Sequence, residues 1–208
     1  MVDPATLRRH DLVHLSPEAW RGQVAGLVEE VADWADLGRP AIFRQRVCAD
    51  PDGAVPLGLP LPPGMGRKRL ALSCPPAAVA RVAPPPLLRD ARSAAPAAWQ
   101  PVIEALLGAD PSWRCFGSLA WQHLTGLPYL TDASDLDLLI TCASGADAAR
   151  ITAALGGIAA GSPMRLDAEL VSLDGSAVQW REWLSDAPHL LLKTRSGPAL
   201  VAREALFP

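Results

Sequence analysis

Two aspartates enter an apolar run in Ser134-Asp135-Leu136-Asp137-Leu138-Leu139-Ile140, and sixteen residues separate Asp135 from the small-residue turn Phe116-Gly117-Ser118. If residues 135–140 are extended, a period of two puts both carboxylates on one face and Leu136 and Leu138 on the other. Two carboxylates so close repel each other, and a cation would relieve the cost. Oxygen ligands of this kind suit Mg²⁺, which in turn clamps phosphate oxygens. The Gly117-Ser118 turn, ahead of a helix start, offers backbone N–H groups to the same phosphates. An EF-hand is excluded, because the loop glycine is missing and Leu138-Leu139-Ile140 continues as strand. Nor is Ser118 a hydrolase nucleophile, since no second glycine follows it in the elbow pattern. The chemistry implied is phosphate transfer.

Residues 113–116 and 136–141 read as strands, with a helix over 119–124 closed by Gly126. A helix over 145–155 closes at Gly156-Gly157. Residues 165–173 and 177–180 form a hairpin about Asp174-Gly175. A short helix over 182–184 and a last strand over 190–194 complete this half, which opens with a helix over 97–107. In the first half, residues 10–15 read as a strand, and Ser16-Pro17 as the start of an amphipathic helix over 18–37 ended by Gly38. Strands over 41–47 and 67–73 flank a turn at 50–53 and an extended, Pro-rich segment at 58–63. Residues 75–101 are dense in proline and alanine, which sets a boundary near residue 90. The expected domains are 1–90 and 91–208.

A Gly-Ser turn followed by Asp-x-Asp on a strand resembles the nucleotidyltransferase superfamily. The surrounding residues narrow the resemblance. Phe116-Gly117-Ser118-Leu119-Ala120-Trp121-Gln122, Leu124-Thr125-Gly126, Tyr129-Leu130 and Ser134-Asp135-Leu136-Asp137-Leu138 look like the malonate decarboxylase holo-acyl-carrier-protein synthases, the phosphoribosyl-dephospho-CoA transferases. Arg9-His10-Asp11-Leu12-Val13, Gly38-Arg39-Pro40 and Gly58-Leu59-Pro60-Leu61-Pro62 agree, so the resemblance covers essentially the whole chain.

That resemblance implies an α+β fold: a nucleotidyltransferase-like mixed sheet with helices, and a smaller N-terminal α+β domain for carrier or donor recognition. It implies transfer of the phosphoribosyl-dephospho-CoA group from triphosphoribosyl-dephospho-CoA to a serine of the apo acyl-carrier subunit of malonate decarboxylase, with release of diphosphate. A citrate lyase carrier is the alternative acceptor. A non-catalytic nucleotide- or carrier-binding module is the alternative of another class, disfavoured by the intact Asp-x-Asp. Asp135 and Asp137 would hold Mg²⁺, while Gly117 and Ser118 would cradle phosphates. The superfamily adds a third carboxylate, here Asp167 as metal ligand or base, or Glu169, two residues along the same strand face.

Lys193, one of two lysines, either binds phosphate or snorkels from its strand. Arg67-Lys68-Arg69 is the one compact basic cluster; it is a solvated face or the surface that meets the acidic carrier or the donor's phosphates. Arg44 and Arg46, two apart on the expected strand, are placed to join it. Charge is uneven: residues 1–95 carry 12 basic and 10 acidic side chains, and residues 96–208 carry 7 and 12. A catalytic half this acidic needs cations to accept a triphosphate, which favours a site shared between the two domains. The net charge of −3 gives no reason to expect nucleic-acid binding. Cys48, Cys74, Cys115 and Cys142 lack metal-ligand spacing and read as free thiols. His10 and His14 lie four apart in a strand-like segment, a spacing that would suit a metal only on a helix. Trp121 and Trp180 are placed either to flank an adenine or to pack in the core. With no basic, apolar leader and no run near twenty apolar residues, the expected location is cytoplasmic, away from membranes.

Overall fold

The computed structural model describes residues 2–24, 31–66, 69–185, 187–195 and 197–207. The fold is α+β and divides into two compact units, Met1–Pro85 and Pro86–Pro208.

The first unit is built on a five-stranded antiparallel sheet in the order β4-β3-β2-β1-β5. Its strands are β1 (Leu12–Leu15), β2 (Ala41–Phe43), β3 (Val55–Pro60), β4 (Arg69–Cys74) and β5 (Val79–Ala83). Helix α1 (Pro17–Val24) starts where expected: Ser16 Oγ accepts the Ala19 N–H at 3.1 Å, and Pro17 takes the first turn without wasting a donor. The long helix over 18–37 does not form as one element. Residues 25–30, with Leu27 and Val28, lie outside the described residues, and from Val31 to Gly38 the chain runs in turns. The Val31 carbonyl accepts the Trp20 indole N–H at 2.8 Å and the Trp34 N–H at 3.1 Å, so three-residue turns replace the helical ladder. Trp20 and Trp34 remain core residues, with rings 6.4 Å apart, whereas Leu37 is 61% exposed.

The strand expected over 41–47 ends at Phe43. Arg44 turns to the Asp50 carboxylate and the Leu57 carbonyl, and Arg46 to the Pro51 and Ala54 carbonyls. These arginines fasten the turn at 50–53. Strand β5 is a further departure. It lies within the Pro-rich stretch, pairs with β1, and occupies a sheet edge, where flanking prolines cost no ladder bond.

The second unit carries a six-stranded mixed sheet in the order β11-β10-β9-β8-β7-β6. Its strands are β6 (Arg114–Phe116), β7 (Leu136–Thr141), β8 (Leu166–Val171), β9 (Ala177–Gln179), β10 (His189–Thr194) and β11 (Gly197–Ala202). Among the described strands of this sheet only β7 and β8 pair in parallel, and α5 (Gly145–Ala159) makes the crossover that parallel pairing requires. The other helices are α2 (Leu88–Ala91), α3 (Gln100–Ala109), α4 (Gly117–Thr125) and α6 (Trp180–Leu184).

One sheet face is the core. Leu136, Leu138 and Ile140 of β7 and Leu166, Ala168 and Leu170 of β8 are buried with Ile103 and Leu106 of α3 and with Ile151 and Leu155 of α5. Helix α5 runs through Gly156-Gly157 instead of stopping there. Each glycine costs about 1 kcal/mol relative to alanine, and packing of Leu155 and Ile158 against the core outweighs that. Strand β11 was not anticipated, because its opening Gly197-Pro198 reads as a breaker; as an edge strand it needs no donor from Pro198.

Candidate active site

Strand alternation sends the polar residues to the sheet face opposite the core. Register brings them together. Phe116 of β6 pairs with Asp137 of β7, Asp137 pairs with Asp167 of β8, and Glu169 pairs with Gln179 of β9. Asp135 stands one residue before β7, whose first amide, Leu136 N–H, donates to the Arg165 carbonyl at 2.9 Å.

Asp137 is the electrostatic centre. Burial pushes its carboxyl up to about 7, and the charges of Asp167, Asp135 and Glu169 add to the rise, with Lys193 opposing it. That is the signature of an anion lacking its counter-charge. Glu169 is 5% exposed and accepts a hydrogen bond from Lys193 Nζ at 2.6 Å, so this charge has a cation already. Lys193 reaches Glu169 from β10 across Ala177, its register partner on β9. Asp167 Oδ1 accepts the Gln179 Nε2–H at 2.7 Å. The third acidic strand position thus differs in kind between the two candidates: Glu169 is neutralised, whereas Asp167 is held by a neutral amide.

Gly117 forms the floor beside Asp137. Its φ is +63°, and a Cβ built there would fall 1.8 Å from Asp137 Oδ2 and 2.7 Å from its Cγ. Both backbone conformation and space therefore demand glycine. Gly117 is also the first residue of α4, and no side chain caps that helix start. The first N–H groups of a helix have no intrahelical acceptor, and this helix starts beside Asp137, an arrangement suited to phosphate oxygens and a cation together. Gly126, φ +71°, closes the helix at its other end, as the sequence indicates.

Among the described residues, no three His, Cys, Asp or Glu side chains are gathered closely enough to hold a metal ion. Mg²⁺ is typically held by one or two carboxylates, with substrate phosphates and water filling the rest. Asp135 and Asp137 fit that donor set; Glu169, engaged by Lys193, fits it less well than Asp167. The Lys193 ammonium has three N–H donors and is 43% exposed, so its bond to Glu169 leaves room for an anion.

Trp121 and Trp180 are buried at 4% and 3% exposure and pack in the core instead of flanking a base. Cys74, Cys115 and Cys142 are buried and Cys48 is exposed; none is disulfide-bonded. Arg69 begins β4 with an exposed side chain, and Arg67 and Lys68 lie outside the described residues. Gln179 is the residue that sequence reading missed. The hairpin about Asp174-Gly175 carried the signal, since counting back from that turn sets position 179 across from 169.

Comparison with known proteins covers nearly the whole chain. Residues 8–85 match the phosphoribosyl-dephospho-CoA transferase MdcG N-terminal domain, and residues 87–204 match the C-terminal domain of the same family. A phosphoribosyl-dephospho-CoA transferase of Bradyrhizobium diazoefficiens is 43% identical over 204 residues, covering 94% of this chain and 90% of that protein. One from Xanthomonas campestris pv. campestris is 39% identical, covering 96% of each. One from Pseudomonas syringae pv. tomato is 32% identical, covering 97% of this chain and 95% of that protein. No solved structure matches. Among the described residues, no helix is long and apolar enough to cross a membrane.

Proposed function

Because the chain belongs to the phosphoribosyl-dephospho-CoA transferase family, we propose that it takes this group from triphosphoribosyl-dephospho-CoA and attaches it to a serine of the apo acyl-carrier subunit of malonate decarboxylase, releasing diphosphate. The observation that carries the site assignment is the under-neutralised Asp137 packed against Gly117 at an uncapped helix start.

In this reading Asp135 and Asp137 would hold Mg²⁺, whose chemistry is to neutralise charge on the phosphates. The N–H groups of Gly117 and Ser118 bind phosphate oxygens, and Lys193 adds a positive charge from the neighbouring strand. The carrier's serine oxygen attacks the innermost phosphorus in line, its proton passes to Asp167, and the bond to the diphosphate breaks. Asp167 suits the base role better than Glu169, because the Glu169 carboxylate is already engaged by Lys193. Such a site gains its rate mainly by positioning and charge stabilisation.

The test is intact mass of the apo carrier after incubation with donor and Mg²⁺, with a citrate lyase carrier as second acceptor. The malonate decarboxylase carrier gains the phosphoribosyl-dephospho-CoA mass, the citrate lyase carrier reacts more slowly, and Asp135→Asn lowers the rate on the order of 100-fold or more while the protein stays folded. Preference for the citrate lyase carrier would reassign the acceptor. Near-normal turnover by folded Asp135→Asn would remove the metal-clamp assignment.

A further inference from the structure

We propose that Gln179 is a positioning residue that fixes the orientation of the Asp167 carboxylate; this rests on the reading of Asp167 as the base. Gln179 ends β9 and directly precedes α6. Its side-chain Oε1 accepts the Arg181 N–H at 2.5 Å and the Glu182 N–H at 3.2 Å, capping that helix. The same amide's Nε2 donates to Asp167 Oδ1 at 2.7 Å. The two contacts lock each other. Flipping the amide would set its NH₂ against two backbone N–H donors and its oxygen against a carboxylate, so only one orientation is satisfied.

The anchor itself is firm. Trp180 is buried, its indole N–H donates to the Leu166 carbonyl at 3.3 Å, and Arg181 donates to that same carbonyl at 2.8 Å. Leu166 is the residue before Asp167 on β8, so the cap and the carboxylate are tied to one short stretch of backbone. Among the described residues Gln179 is the hydrogen-bond partner of Asp167, and it engages Oδ1, leaving Oδ2 for a proton. A neutral amide orients a carboxylate without cancelling its charge. Lysine at Glu169, one same-face position along β8, does the opposite.

Gln179→Glu separates the cap from the positioning role, because a carboxylate still accepts the α6 N–H groups but repels Asp167 instead of donating to it. The expected result is a melting temperature close to that of the unaltered protein, KM for donor and carrier within about twofold, and kcat lower by about 10- to 100-fold. In an Asp167→Ala background, Gln179→Glu adds no further loss, since the residue acts through Asp167. Wild-type kcat in Gln179→Glu, or losses that multiply across the two sites, would overturn the proposal. Should Gln179→Glu fail to fold, Gln179→Ala in the same cycle decides by the same two outcomes. A chain that transfers nothing to any carrier would defeat the proposed function instead, and the Asp167 carboxyl ¹³C resonance would then judge the contact: it moves in Gln179→Ala if the bond exists, and an unmoved resonance overturns it.

Discussion

At the scale of single residues, the site turns on one carboxylate held against a glycine. Asp137, raised to about 7 chiefly by burial and by its acidic neighbours, binds a proton in the folded protein that the unfolded chain has released by then. The sign follows from that order. A carboxyl with a raised folded pKa stabilises the native state at low pH, and this contribution is lost as pH climbs from the unfolded value of 3.8 to about 7. The Mg²⁺-free protein should therefore lose stability across that window by up to about 1.4 kcal/mol per pH unit. Asp137→Asn should flatten this fall, and Mg²⁺ should raise the melting point of the unaltered protein at pH 8 but not of the variant. Thermal melts from pH 5 to pH 8 check this; identical pH slopes in the two proteins would contradict the electrostatic assignment. Period-two alternation pairs Asp135 with Asp137 on one face of their strand, and Asp167 with Glu169 on one face of theirs. It could not reveal that Lys193 reaches Glu169, or that Gln179 faces Asp167, because both depend on strand order across a sheet.

At the scale of elements, strand β7 and the start of α4 were legible because their signals are local: a small-residue turn, an apolar run, and Gly126 in the left-handed conformation. Elements decided by packing were not. Helix α5 continues through Gly156 and Gly157, where a Cβ would meet nothing within 4 Å. Alanine at each position should stabilise the protein by up to about 1 kcal/mol, or roughly 2–4 °C for a chain of this size, without change in transfer rate. Differential scanning calorimetry of the single and double variants measures it; no rise would mean that the second half of the helix is not formed in solution. Strands β5 and β11 were missed for the opposite reason. Proline near each reads as an interruption, and only its place at a sheet edge makes it harmless. The stretch over 31–38 runs in turns instead of a helix, with the Trp20 and Trp34 indole N–H groups bonded to the Val31 and Pro40 carbonyls.

At the scale of the whole molecule, charge is divided along the chain, with 12 basic and 10 acidic residues in 1–95 against 7 and 12 in 96–208. We propose that Arg67, Lys68 and Arg69 meet the acidic carrier or the donor's phosphates. Replacing all three by Ser should raise the corresponding KM and flatten its dependence on ionic strength, since salt screens exposed charge; unchanged KM values for both substrates across a salt series would return the cluster to a solvated face. The division of the chain at Pro85 and Pro86 coincides with the gap between the two matched family segments, 8–85 and 87–204. Whether the acidic face of the second unit moves a pantetheine-bearing group is read by thiol labelling of the carrier. A Cys-free apo carrier is incubated with triphosphoribosyl-dephospho-CoA or with ATP, using either the unaltered chain or Asp137→Asn, and maleimide-reactive thiol and released diphosphate are counted. The expected result is one thiol per carrier and one diphosphate per thiol with the unaltered chain and the CoA-derived donor, and neither with Asp137→Asn. A carrier that gained only an adenylyl group from ATP, with no new thiol, would contradict it.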